Sequence, residues 1–124
     1  MKSAKDYMAE ANEIVPRISG EEAVKQSASE NYVHIDVRDS AGIAETGTIA
    51  GALRIPRGMM EFVADESTPF YNDALKKDAK LMLVCGAGGQ AALAGKTLLE
   101  MGYQSVTNIG GISEWKDAGG KMES

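Results

Sequence analysis

The sequence predicts an α/β fold in which a mostly parallel central sheet of about five strands carries helices on both faces, a three-layer α/β/α arrangement. Three observations predict it. Strand-like and helix-like stretches alternate along the chain. The run Leu81, Met82, Leu83, Val84 is unbroken and apolar, which suits a central parallel strand buried on both faces. A length of 124 residues with 44% hydrophobic content suits one compact domain, residues 1–124, in which 1–18 form an N-terminal helical extension.

Taken in order, Ser3 to Val15 places Tyr7, Ala11 and Ile14 on one helical face, with Ser3 and Asp6 spaced as a capping box and Pro16 as the stop. Ser19 and Glu22 repeat the capping spacing before a short helix over 21–27. Tyr32 to Arg38 alternates: Val33, Ile35 and Val37 share one face, and His34, Asp36 and Arg38 the other. Asp36 and Arg38, two apart at a strand end, are expected to pair with each other or with the next loop, a structural role beside the site. His34 reads as a core or edge histidine. Residues 39–48 hold a helical turn, 53–55 a short strand, and 59–64 a helix. Arg57 follows the 53–55 strand directly and has two readings: it faces the site at the strand ends as a substrate-binding cation, or it pairs with Glu61 at i, i+4. Residues 67–78 read as a loop and then a polar helix end whose Lys76 and Lys77 serve solvation. The chain closes with a strand over 105–109, a Gly110-Gly111 turn and a helix over 112–118 with Trp115 inward.

Between the 81–84 strand and a helix bearing Ala91, Ala94, Leu98 and Met101 lies the only cysteine, Cys85, followed by Gly86, Ala87, Gly88, Gly89 and Gln90. Small residues there allow a tight turn that exposes backbone amides. A thiol among amides at the positive end of a helix is favoured as thiolate, the nucleophilic form. A lone cysteine commonly packs as a small hydrophobe. A glycine-rich turn contributes nothing to such packing, whereas a thiolate and an anionic substrate require it. Cys85 is therefore the candidate catalytic residue, and the amides of 86–90 the candidate substrate-binding loop.

Composition removes other classes. The net charge is −5 and no basic cluster occurs, which argues against nucleic acid as a partner. One cysteine excludes an internal disulfide, and one histidine leaves an imidazole metal site without its usual partners, so no metal and no cofactor are expected. The opening MKSAKDYMAE has no apolar run and no later segment approaches membrane-spanning length, so a cytoplasmic protein without membrane partners is expected.

These residues together resemble the single-domain rhodanese family. HIDVRDSAGIAETGTIAGALRIPRG resembles its first signature, an Asp-x-Arg strand end followed by a Gly-x-Ile-x-Gly-Ala turn. CGAGGQAALAGKTLLEMGYQSVTNIGGISEWKDAGG resembles the cysteine loop, its helix, the Met-Gly-Tyr step and the closing Gly-Gly-Ile-x-x-Trp helix. The likeness spans about Ser19 to Gly120. It implies a rhodanese-like fold and a thiosulfate sulfurtransferase, which takes a sulfane sulfur from thiosulfate or a related small anionic donor as a Cys85 persulfide. The sulfur then passes to cyanide or a cellular thiol, a sulfur-relay protein among the partners. A rhodanese-fold persulfide carrier or binding module of low turnover is the alternative, because many relatives have arginine or a hydroxyl residue at the position of Gln90 and loops of the family often carry a cation, whereas 86–91 here has none. Thr48 stands where the Gly-His-Ile form has histidine, a change bearing on loop packing. A Cys-x5-Arg phosphatase or arsenate reductase is disfavoured, since the sixth residue after Cys85 is Ala91.

Overall fold

The computed structural model describes residues 1–124. Its organising strand is Lys80–Cys85 (β4), in which Leu81 through Cys85 are each 0 or 1% exposed. A run with no polar face belongs inside a sheet. Val33–Asp36 (β1) lies on one side of it and Ser105–Gly111 (β5) on the other, with Leu53–Arg54 (β3) beyond β1. The order is β3-β1-β4-β5, and every pairing is parallel. Successive β4 side chains feed opposite cores. Leu81, Leu83 and Cys85 join Ile35, Val37, Leu98 and Tyr103 on one face. Met82 and Val84 join Ala23, Ile49, Ile109 and Trp115 on the other. Gly89–Glu100 (α5) and Met60–Val63 (α4) thus cover the first face, and Gly20–Ser29 (α2) and Ile112–Asp117 (α6) the second. Each fully buried aliphatic side chain contributes about 1.5–3 kcal/mol of transfer free energy.

The sheet has four strands rather than about five. Beside β5, at the edge, the chain from Pro16 to Ile18 makes a single parallel bridge, Arg17 opposite Asn108. Asn108 N donates to Pro16 O at 2.8 Å, and Ile18 N donates to Asn108 O at 3.1 Å. The segment cannot extend into a ladder, because Pro16 has no N–H and helices close in on both sides, Ala4–Ile14 (α1) and α2. A second, unforeseen pairing joins Thr48–Ile49 (β2) to Met122–Glu123 (β6) in antiparallel sense, beyond the Gly120 at which the closing motif ended.

The capping box of α1 forms as read, Ser3 N donating to Asp6 Oδ2 at 2.9 Å and Asp6 N to Ser3 Oγ at 3.2 Å. Ser19 caps α2, but Glu22 accepts from Gln26 instead of completing a box. The expected apolar face of α1 is corrected: Tyr7 and Ile14 are exposed, while Ala11 and Val15 are buried. The physical reason is close approach, since α1 meets α5 where Val15 packs on Gly95, leaving room only for small or inward side chains. Ser40–Thr46 (α3) matches the expected turn, and a 3-10 turn at Arg57–Met59 precedes α4. The helix end expected within 67–78 does not form; Lys77 instead lies 4.1 Å from the Tyr103 ring centroid and donates to Met101 O. His34 is bonded to Ser27 Oγ at 2.9 Å and meets Trp115 edge-on, and burial pushes its pKa down. No helix is long and apolar enough to cross a membrane.

Candidate active site

Cys85 ends β4, and the chain turns at once through Gly86, Ala87 and Gly88 into α5. Gly88 takes φ 105°, a left-handed value that a side chain resists, and a Cβ there would also collide with Arg17. This turn folds the first amides of α5 back over the sulfur. Gly88 N donates to Cys85 Sγ at 2.9 Å and Ala91 N at 3.4 Å. Hydrogen bonds from amides at a helix N-terminus are the arrangement that stabilises an anionic sulfur. α5 has no side-chain cap at its start, so Gly89 and Gln90 open it with amides that lack an intrahelical acceptor. The N–H groups of Gly86 and Ala87 likewise make no hydrogen bond within the protein.

The loop's carbonyls are drawn the other way. Gly88 O accepts from Asn108 Nδ2 at 2.9 Å, and Ala87 O from Arg17 Nη2 at 3.2 Å. Asn108 is itself buried and fixed, its Oδ1 accepting from Gly110 N at 2.8 Å. Between Leu83 and Cys85 the β4–β5 register shifts, which brings Gly111 opposite Cys85. A Cβ on Gly111 would strike Gly86 O, so the glycine is required by close approach. Gln90 is exposed, and Gly86 borders open space.

Asp36 and Arg38 form a buried frame next to β4. The Asp36 carboxylate accepts from Arg38 N and Nε at 3.0 Å each, from Arg38 Nη2 at 2.8 Å and from Thr48 Oγ1 at 2.7 Å. Arg38 reaches on to Gly42 O, Thr46 Oγ1 and Gly47 O, so one pair ties β1, α3 and β2 together. The guanidinium pKa is raised, first by its hydrogen bonds to Asp36, with smaller electrostatic contributions from Asp36, Cys85 and Asp39. Thr48 enters as a buried donor to this frame, which is its bearing on the loop.

Arg57 has its guanidinium on Glu61 Oε1 and Thr97 Oγ1, both at 3.0 Å. Thr97 stands eight residues after Gly89, about 12 Å of helical rise from the loop. The cation against the loop is Arg17, which the sequence reading passed over. Besides Ala87 O, it meets Glu114 Oε2 at 3.4 Å, and Glu114 in turn accepts from Gly111 N at 2.7 Å. Met8 of α1 approaches the loop from the same side, its Cε lying 3.2 Å from where a Gly89 Cβ would be. A pairing across 70 residues leaves no periodic trace; the one signal was an extended Val15-Pro16-Arg17-Ile18 link between two helices.

The family model for the Rhodanese-like domain matches residues 19–118, so α1 and Arg17 precede the matched part. The chain is 36% identical over 99 residues to Protein HIGH ARSENIC CONTENT 1, mitochondrial, of Arabidopsis thaliana, covering 73% of this chain and 56% of that protein. The chain thus spans little more than half the length of that relative. Among solved structures it is similar to a Rhodopseudomonas palustris protein of unknown function described as a possible tyrosine phosphatase. That likeness has a TM-score of 0.91 and 33% identity, and covers 99% of this chain and 96% of the other. It is also similar to the polysulfide-sulfur transferase homodimer of Wolinella succinogenes, with a TM-score of 0.75 and 26% identity over 96% of this chain and 85% of that one. Since the matched stretch takes in the parallel sheet, the Asp36–Arg38 frame and the whole Cys85 loop, the chain belongs to the rhodanese-like domain family.

Proposed function

We propose that this protein is a sulfurtransferase that accepts a sulfane sulfur on Cys85 and passes it to a thiophilic acceptor. The observation that carries the reading is the inward aim of the loop amides on Sγ, with the Ala87 and Gly88 carbonyls tied outward. The Cys85 thiolate attacks the outer sulfur of thiosulfate; the new S–S bond forms as the old one breaks, and its electron pair leaves with sulfite. The persulfide anion then rests among the amides of 86–90, donors placed for negative charge at each stage. A cyanide ion or a thiolate, that of a relay protein included, attacks the outer sulfur and restores the Cys85 thiolate. The name of the Wolinella succinogenes relative supports sulfur transfer and makes polysulfide a second donor to test.

Dephosphorylation would need a clamp on a tetrahedral oxyanion, and the loop position for it is Ala91, fully buried. A persulfide carrier of low turnover is the second reading, favoured by the 1% exposure of Cys85, which shields a bound sulfur from solvent. Intact mass before and after thiosulfate, and then after cyanide, tests the proposal with Cys85→Ala in parallel. A gain of about 32 Da that cyanide removes, that the variant lacks and that accompanies thiocyanate turnover is the expected result. Loading without turnover favours the carrier. No loading from thiosulfate or polysulfide, with arsenate reduction in a parallel tube, refutes sulfur transfer.

A further inference from the structure

We infer that Arg17 is the donor-binding cation of this site, holding the oxyanion end of thiosulfate while its outer sulfur meets Cys85; the inference rests on the sulfur-transfer reading above. The distances allow it. Gly88 N is 2.9 Å from Sγ, and a Cβ on that same residue would lie 2.8 Å from Arg17 Cζ, so guanidinium and sulfur are separated by no more than about 8 Å. A donor at near-attack distance places its outer sulfur about 3–3.5 Å from Sγ. A donor whose sulfonate end is directed to the Arg17 side of the loop then brings its oxygens, two bonds further out, within reach of a guanidinium hydrogen bond of about 2.8–3.0 Å.

The hydrogen-bonding inventory points the same way. A guanidinium has five N–H donors. Both protein acceptors of Arg17, Ala87 O and Glu114 Oε2, are met through Nη2 alone, while Nε and Nη1 have no acceptor and Nη1 is the atom nearest Gly88. The side chain is 45% exposed, so an incoming anion has access to these hydrogens. Its contact with Glu114 is long, at 3.4 Å, and Glu114 is held by Gly111 N. Glu114 is thus a neighbouring negative charge that competes with the donor for Arg17.

Steady-state kinetics with thiosulfate at low salt tests this, beside persulfide loading by intact mass. Arg17→Ala is expected to raise the thiosulfate KM about tenfold with kcat within about twofold, and Arg17→Lys to lie between. Glu114→Gln, which still accepts from Gly111 N, is expected to lower KM about twofold to threefold. Methanethiosulfonate, a monoanion donating the same outer sulfur, should lose less than thiosulfate in Arg17→Ala. Added salt should raise KM in the natural chain and much less in that variant. A purely structural Arg17 would slow both donors alike and leave the salt response unchanged, overturning the inference, as would an Arg17→Ala KM within about twofold. If Arg17→Ala does not fold, the Glu114→Gln shift decides, and an unchanged KM there overturns the inference too. Failure of the natural chain to load sulfur from any donor overturns the sulfur-transfer reading itself, a distinct result.

Discussion

Replacing Asp36 with alanine removes the acceptor around which the strand ends beside Cys85 are assembled. The carboxylate is 0% exposed and the Arg38 side chain 10%, so the substitution strands a positive charge in the interior and leaves Thr48 Oγ1 without its acceptor. Truncating one partner of a buried ion pair costs about 3–5 kcal/mol, because the desolvated partner is left uncompensated. At about 4 °C per kcal/mol for a chain of this size, the thermal midpoint should fall by roughly 12–20 °C. The assay is two-state urea and thermal unfolding of natural and variant chains, repeated with about 0.5 M added salt. Buried charges are weakly screened, so salt should leave the difference in place. Replacing both partners by apolar residues of similar size, Asp36→Leu with Arg38→Met, should recover part of the loss. A loss below about 1 kcal/mol, or one that salt erases, would show that the pair behaves like an exposed one and would refute the reasoning. The exposed Lys80–Glu30 pair is closer, at 2.6 Å, yet Glu30→Ala is expected to leave the midpoint unchanged.

Gly88→Ala should cost about 1–3 kcal/mol from its left-handed backbone and slow persulfide formation, whereas Gly86→Ala, at open space, should not; equal behaviour of the two in loading kinetics by mass would contradict the loop geometry. His34 has a folded pKa below its ordinary 6.5, so its neutral form contributes stability in full above about pH 6.5, and that contribution shrinks as pH falls through this value toward the folded one. His34→Gln should therefore flatten the fall of the stability curve below about pH 6.5, read from urea midpoints. Tyr103 donates to Ala64 O at 2.7 Å, and burial pushes its pKa from 10.0 to about 12. Its contribution is complete below pH 10 and lost as pH rises toward 12; Tyr103→Phe should cost about 1–2 kcal/mol at neutral pH and remove that alkaline loss.

What could be read in advance follows from the range of the interactions. The β4 run, the capping of α1 and the glycine turn after Cys85 are local patterns, each written within a dozen residues, and each formed. The Asp36–Arg38 pair was legible for the same reason, two residues apart on one face. What escaped the reading was long-range. The β2–β6 pairing joins residues far apart in the chain, and so does the bridge from Arg17 to Asn108. Neither segment is long enough to show alternation, and the Tyr7 and Ile14 stripe of α1 pointed to a wider buried face than the approach to Gly95 allows.

On the Arg17 assignment proposed above, the same bridge would let residue 17 serve in place of a cation within the loop. Asn108 pairs with the Pro16–Ile18 segment through its backbone and with Gly88 O through its side chain, so the residue that docks the N-terminal segment on β5 also holds a loop carbonyl. Once docked, that segment sets the Arg17 guanidinium against Ala87 and Gly88. A cation supplied from residue 17 would leave the loop amides undisturbed, and the proposed donor site would then depend on a stretch that precedes the matched family region. Removing residues 1–18 should accordingly weaken thiosulfate use more than it weakens the sheet, because β1, β3 and β4 make no strand pairing with that stretch. The measurement is the thiosulfate KM of the shortened chain beside its urea midpoint, and a KM equal to that of the full chain would contradict the coupling.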